Sequence, residues 1–134
     1  MVKIIYSGGE MKQKIVGVYY AGNESIQLVI GEGYGGEFYT TPEKGSVARI
    51  KIGMDSEWDT VLISLFHEIF EILFDRLKCR YKPSSDLSNS MASYLFVADH
   101  QDFGDVCARA AEFVNGCLGD LKKEYKLWHR KVKK

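Results

Sequence analysis

The sequence contains few cysteines, only two prolines and no excess of charge of either sign. Its three cysteines, Cys79, Cys107 and Cys117, are odd in number and include no Cys-x-x-Cys pair. This excludes a disulfide framework and predicts reduced thiols in a cytoplasmic protein. The formal net charge is zero, so the bulk composition gives no electrostatic reason to expect nucleic acid or an acidic membrane as a partner.

No segment is apolar without interruption over the length of a bilayer. The most apolar stretch, residues 58–77, is interrupted by Asp59, His67, Glu68, Glu71, Asp75 and Arg76. Because a membrane helix needs about 20 predominantly apolar residues, we expect this stretch to stay outside the membrane. Residues 1–6 also lack the apolar run and the small-residue cleavage site of a signal peptide, so we expect none.

The chain has 134 residues, of which 46% are apolar and 27% are charged, as in a single soluble domain with one core. Its pattern predicts the α+β class, with a β region over 1–55 and a helical region over 56–134. Alternation and β-branched residues predict a small, mainly antiparallel sheet of three or four strands. These strands are expected at 15–20, 25–30, 37–41 and 46–52, the first two forming a hairpin.

The segment Gly31–Gly36 matches the G-x-G-x-x-G dinucleotide motif letter for letter. That motif works only where the loop opens a helix whose N-terminus faces the pyrophosphate. Residues 37–41 are strand-like instead, so we interpret the segment as a hairpin loop.

The helical region predicts a buried helix beginning after Asp55-Ser56, with Ser56 and Asp59 as a capping box. Residues 87–98 are ambiguous, and we favour a short helix over a strand at 94–97. Asp102 is expected to cap a long C-terminal helix. Its apolar stripe comprises Val106, Ala110, Phe113, Val114, Cys117, Leu121, Tyr125 and Trp128, and Cys107 is placed on the same face.

The candidate site is a polar stripe on the buried helix. At about 100° per residue, Ser64, His67, Glu68, Glu71 and Asp75 fall within one arc of roughly 100°. Nearly every other position is Val, Leu, Ile or Phe, so we expect the helix to be buried around most of its girth. The stripe then faces a strip of solvent or the floor of a cleft.

His67 and Glu71, four residues apart, lie on one side of the helix and can hold one metal ion together. Glu68 lies about 100° further round, where it would miss the metal but could act as a general base on a water that the metal activates. A third ligand must come from elsewhere. We favour His100, with Asp99 or Asp102 as alternatives; Asp75 and Asp99 are expected to orient the ligands.

The competing interpretation is a solvated helix face on which His67 simply pairs with Glu71 or Glu68. Two features favour a cation. The stripe is narrow, and it holds three acidic residues with no lysine nearby, whose mutual repulsion a cation would remove.

His67-Glu68-Ile69-Phe70-Glu71 resembles the zincin signature His-Glu-x-x-His, with Glu in place of the second His. The order of a small sheet followed by the signature helix also looks zincin-like. About half of the chain, from Glu57 to about Leu121, is similar to small phage and prophage proteins. The shared features are the His-Glu-x-x-Glu helix running into Cys79-Arg80-Tyr81, and then Tyr94-Leu95-Phe96, His100 and Phe103-Gly104-Asp105-Val106-Cys107-Ala108-Arg109.

The zincin resemblance implies metal ligands at His67 and Glu71 and a base at Glu68, in a minimal metallopeptidase. The carboxylate at Glu71 makes the site harder, so zinc is expected, with manganese or iron as alternatives; it could also mark lost catalysis. The rival hypothesis is a non-catalytic phage or prophage accessory protein. It would bind a partner protein through its surplus aromatics, Tyr19, Tyr20, Tyr34, Phe38 and Tyr39. A nucleic-acid factor using the C-terminal lysines is a weaker third hypothesis.

Overall fold

The computed structural model describes residues 3–7, 11–39, 48–77, 80–81 and 95–132. Within these ranges the chain forms strands and two helices, which confirms the predicted α+β class. The elements are β1 (Lys3–Ser7), β2 (Met11–Ala21), β3 (Glu24–Gly31), β4 (Gly36–Tyr39), β5 (Ala48–Gly53), α1 (Trp58–Arg76), β6 (Arg80–Tyr81), β7 (Leu95–Phe96) and α2 (His100–Val132).

The first five strands form one sheet in the order β1-β2-β3-β5-β4. β3 and β5 pair in parallel, whereas the other neighbouring pairs of this sheet are antiparallel. The sheet is therefore mainly antiparallel, as predicted. It has one strand more than expected, because Lys3–Ser7, which shows no clear alternation, pairs with β2.

The connection between β3 and β4 differs from the prediction. The expected hairpin is wrong, because β5 lies between these two strands. Residues 32–35, called the glycine loop below, therefore connect two strands that are not neighbours. The strand β4 follows the glycine loop directly, so the geometry of a dinucleotide-binding turn is not formed. The predicted hairpin between β2 and β3 is confirmed, with Ala21 opposite Glu24.

One hydrophobic core joins the sheet to both helices. α1 packs on β4 and β5, α2 packs on β2, and the two helices contact each other. The rings of Trp58 and Tyr125 lie 5.4 Å apart, and those of Phe74 and Phe103 lie 6.5 Å apart. The start of α1 thus lies beside the late part of α2, so the helices run antiparallel. Neither described helix combines the length and apolar content that crossing a bilayer requires.

The apolar stripe of α2 is confirmed, since Val106, Ala110, Phe113, Cys117 and Leu121 are all buried. Burial raises the pKa of the Cys117 thiol to about 12, so this thiol stays protonated and behaves as a small apolar side chain. The prediction that Cys107 shares the apolar face is wrong, because Cys107 is exposed. It stands one residue after Val106, a step of about 100° around the helix. Cys79 lies outside the described residues.

The start of α2 and the segment before it also differ from the prediction. α2 begins at His100, and Asp99 caps it by accepting a hydrogen bond from the Asp102 amide (2.8 Å). The predicted cap at Asp102 is therefore wrong. The predicted short helix over 87–98 lies mostly outside the described residues. Within them, Leu95 and Phe96 form β7, as the strand alternative expected.

Three acidic side chains of α2 tie this helix to β2 and the turn after it. Glu124 pairs with Lys14 (Nζ to Oε2, 2.7 Å), Tyr19 donates its hydroxyl hydrogen bond to Asp120 (2.7 Å), and the Gly22 amide donates to Glu112 (2.6 Å). Glu112, Asp120 and Glu124 are spaced by eight and four residues, close to whole helical turns. They therefore lie along one side of α2 and fix its rotation against the sheet.

We expect Phe113→Ala to destabilise the fold by about 3–5 kcal/mol, because Phe113 is fully buried and its removal leaves a cavity. Urea unfolding followed by circular dichroism would measure the loss. Phe103→Ala is the matched control in the same helix; Phe103 is largely exposed, and we expect a cost below about 1 kcal/mol. Equal costs for the two variants would contradict the described core.

Candidate metal site

The apolar row of α1 orients the candidate site. Val61, Leu65, Ile69, Ile72 and Leu73 are buried at steps of one, three and four residues, which lays one face of the helix against the core. The predicted capping box is wrong, because Glu57 occupies the N-cap position and makes no side-chain capping bond. Packing, rather than a side-chain cap, therefore fixes where this helix lies.

Most of the girth of α1 is buried or half-buried, as predicted, but its exposed arc is not the predicted polar stripe, since Glu68 is buried and Ser64, Glu71 and Asp75 are half-buried. Ile63 is 67% exposed, and Phe66 is exposed as well. The sheet and one neighbouring helix cover only part of the circumference. Phe66 lines a shallow apolar groove with Ala108, Ala111 and Val114 of α2. The outward face of α1 is therefore displaced from the predicted polar stripe, of which only His67 is exposed.

His67 and Glu71 meet one helical turn apart. His67 Nε2 lies 3.0 Å from Glu71 Oε2. The His67 side chain is 63% exposed, whereas that of Glu71 is 20% exposed. The imidazole therefore lies on the solvent side of the pair, and the carboxylate lies closer to the body of the protein.

Glu68 is a buried acid beside this pair. Its side chain is 6% exposed, and its Oε2 lies 3.9 Å from His67 Nε2. Placing a carboxylate out of water is costly unless a positive charge or hydrogen bonds compensate. This turn of α1 therefore differs from the rest of the helix, because it places a buried carboxylate next to an exposed imidazole.

Gly36, the first residue of β4, makes room for Glu68. A Cβ atom at position 36 would lie 2.9 Å from Glu68 Cγ and 3.2 Å from Glu68 Oε2. Contacts below about 3 Å between such atoms are not tolerated, so the absence of a side chain at Gly36 lets the carboxylate pack against the strand. The edge of the sheet thus forms one wall of the site.

His67, Glu68 and Glu71 each offer a ligand atom, and the three atoms lie within 4.8 Å of one another. Tetrahedral zinc with bonds of about 2 Å holds its donors roughly 3.3 Å apart. The 3.0 Å between His67 and Glu71 is close to this value, whereas the 3.9 Å to Glu68 is longer. The distances therefore suit two ligands with a third group beside them. The 3.0 Å separation also suits an ordinary hydrogen bond, which is the competing interpretation.

The other predicted site residues lie outside this group. His100 is the exposed first residue of α2. Because Phe103 lies beside Phe74, this end of α2 is at a level roughly 10 Å along α1 from His67. Asp99 and Asp102 take part in the helix cap, and Asp75 lies two turns after His67. The roles predicted for these residues as third ligand or orienting groups stay predictions.

Sequence reasoning missed the roles of three residues, one beside the site and two at the connection that precedes α1. Gly36 belongs to a glycine-rich segment that was interpreted only as a loop, so its place beside Glu68 was not predicted. Asp55 accepts hydrogen bonds from the Gly33 amide and from Trp128 Nε1. His129, a poor ligand candidate by its place in the basic tail, bonds to the Met54 carbonyl instead (2.9 Å). Only the tertiary contacts reveal these roles, since no spacing in the sequence links residues so far apart.

No protein-family model matches the chain, and no curated protein and no solved structure matches it significantly. The function is therefore inferred from the geometry of this turn of α1 and of the strand beside it.

We expect wild-type protein to bind a divalent cation and His67→Ala to lose it, because His67 supplies the single nitrogen donor of the group. Isothermal titration with Zn²⁺ and metal analysis of protein purified without chelator would measure this. His129→Ala is a poor control, since His129 holds the Met54 carbonyl. His100→Ala is informative instead: a loss equal to that of His67→Ala would make His100 a ligand, whereas unchanged binding would exclude it. Equal Zn²⁺ affinity of His67→Ala and wild type in the titration would contradict the metal site.

Proposed function

We propose that this chain is a metal-dependent hydrolase that cleaves peptide bonds, with His67 and Glu71 as metal ligands and Glu68 as general base. The observation that carries the proposal is the approach of His67 Nε2 and Glu71 Oε2 to 3.0 Å with the buried Glu68 carboxylate 3.9 Å from the same nitrogen. An imidazole nitrogen and a carboxylate oxygen are both suitable zinc ligands, and Glu68 lies too far from His67 to share the ion as a third ligand but close enough to reach a water bound to it.

A divalent cation at His67 and Glu71 would supply Lewis-acid activation of water and of a substrate carbonyl. Glu68 accepts the proton of the attacking water and passes it to the leaving nitrogen. Its burial supports this role, because a base that is shielded from bulk water keeps a fixed orientation toward the reacting groups. His67, on the exposed side, leaves the approach to the cluster open to solvent.

The position of β4 supports a peptide as substrate. β4 is the last strand in the order of the described sheet, and α1 packs against it. An extended peptide that pairs with a sheet edge gains main-chain hydrogen bonds without a preformed pocket. A peptide added along β4 would pass Gly36, against which Glu68 lies. The scissile bond would then come within reach of the cluster.

The second candidate function is a non-catalytic protein-binding role, as in an accessory protein of a phage or prophage. Tyr20, Tyr34 and Tyr39 favour it, because all three are largely exposed, and exposed tyrosines are enriched at protein interfaces. Tyr19 and Phe38 do not join this surface, since both pack against the core.

We expect Glu68→Gln to lower hydrolysis of a peptide substrate by roughly a hundredfold or more, because loss of a general base typically costs about 10²–10⁴ in rate. Cleavage of a fluorogenic peptide mixture, with Zn²⁺ added, would measure the loss. Metal affinity should remain close to that of the wild type, since Glu68 is not among the proposed ligands. Glu57→Gln is the matched control, an exposed acid at the start of the same helix with no capping bond.

Three outcomes separate the candidate functions. Loss of cleavage with retained metal supports the base role of Glu68. Loss of both would make Glu68 a ligand and refute that role. A wild-type protein that binds zinc but cleaves no peptide would refute the hydrolase and leave the protein-binding function.

A further inference from the structure

Asp55, in the connection between β5 and α1, binds donors from two distant parts of the chain. Its Oδ2 accepts a hydrogen bond from the Gly33 amide at 2.6 Å, and its Oδ1 accepts one from Trp128 Nε1 at 3.0 Å. Its own amide donates back to the Gly33 carbonyl at 3.0 Å. One carboxylate thus joins the glycine loop to the late part of α2.

The glycine loop is held against the end of β5 by further backbone hydrogen bonds. The Gly53 amide donates to the Gly35 carbonyl (2.8 Å), and the Met54 amide donates to the carbonyl of Gly31, the last residue of β3 before the loop (2.9 Å). The approach is so close that a Cβ at position 53 would lie 2.5 Å from the Gly33 carbonyl oxygen. Side-chain and backbone hydrogen bonds together therefore hold the loop to the connection that contains Asp55.

The late part of α2 holds this same connection at two more points. His129 Nε2 bonds to the Met54 carbonyl at 2.9 Å, and the Tyr125 hydroxyl donates to the Ser56 carbonyl at 3.0 Å. Tyr125 also packs on Trp58 at the start of α1. Three consecutive residues, 54–56, are therefore each bonded to α2. The connection between β5 and α1 is therefore hydrogen-bonded to α2 along its length.

β4 begins immediately after the glycine loop, at Gly36, and the Glu68 side chain occupies the space beside this glycine. The available space is small, since an added Cβ would already lie 2.9 Å from Glu68 Cγ. The start of β4 therefore bounds the space open to the Glu68 carboxylate, and a displaced start of β4 would change that space. The chain of contacts runs from Trp128 through Asp55 and the glycine loop to Glu68.

We propose that Asp55 is a positioning residue that, through the glycine loop and Gly36, sets where the Glu68 carboxylate lies beside His67. The inference rests on the proposed function for its catalytic consequence. The placement of Glu68 can be measured without any activity. A misplacement of about 1 Å can cost roughly a hundredfold in rate, so loss of this link should affect catalysis more than it affects metal binding.

The test follows the side-chain carboxyl ¹³C signal of Glu68 by NMR, assigned by its disappearance in Glu68→Gln. We expect this signal to shift in Asp55→Ala, and in Trp128→Phe, which keeps the packing of an aromatic ring but removes its donor. Gly36→Ala should shift it as well, because the added Cβ collides with Glu68. For a peptide that the wild-type protein cleaves, we expect the kcat of Asp55→Ala to be about tenfold or more lower than that of the wild type. The Zn²⁺ affinity of this variant should stay within about twofold of the wild-type affinity.

Asp120→Asn is the matched control. Asp120 also bonds α2 to the sheet, through Tyr19 (2.7 Å), but it has no described contact with the glycine loop. An unmoved Glu68 signal in this variant supports a specific path through Asp55. An equal shift in Asp120→Asn would overturn the inference, since any lost link between helix and sheet would then act alike.

A Glu68 signal that stays in place in folded Asp55→Ala would also overturn the inference. Should Asp55→Ala fail to fold, Trp128→Phe decides by the same signal. A wild-type protein that cleaves no peptide refutes the proposed function alone. The NMR comparison still decides whether Asp55 places Glu68, so the two failures are distinguishable.

Discussion

The parallel pairing of β3 with β5 is the constraint on which the site depends. It inserts β5 between β3 and β4, so β4 is the last strand of the described sheet, and the chain reaches it through the glycine loop. Had β3 and β4 formed the hairpin that their spacing suggests, Gly36 would not stand against Glu68. The surroundings of Glu68 therefore depend on the strand order of the sheet as well as on α1.

The features that could be predicted from the sequence are those that depend on the spacing of neighbouring residues. The α+β class, the hairpin of β2 and β3 and the buried stripe of α2 follow from the alternation and helical spacing of apolar residues. The approach of His67 to Glu71 follows from the geometry of one helical turn. Each of these features depends on residues a few positions apart, where the backbone period alone decides which side chains meet.

The features that the sequence did not predict depend on contacts between distant residues. The insertion of β5 cannot be inferred from strand patterns, since β4 would alternate in the same way in either order. The burial of Glu68 depends on a missing side chain at Gly36, and the role of Asp55 depends on Trp128, 73 positions away. The local capping patterns were also misleading, because Asp99 rather than Asp102 caps α2, and the N-cap residue of α1 makes no side-chain capping bond.

Solvent exposure decreases from the His67 imidazole through the Glu71 carboxylate to the Glu68 carboxylate, although all three lie on about one turn of α1. Buried structural zinc sites retain their ion because the surrounding chain must open before it can leave. Here the imidazole is accessible without any such opening, so an ion at this turn would exchange readily with the medium. Occupancy would then follow the free concentration of the metal in the surroundings, and loading and unloading would both proceed with the fold intact.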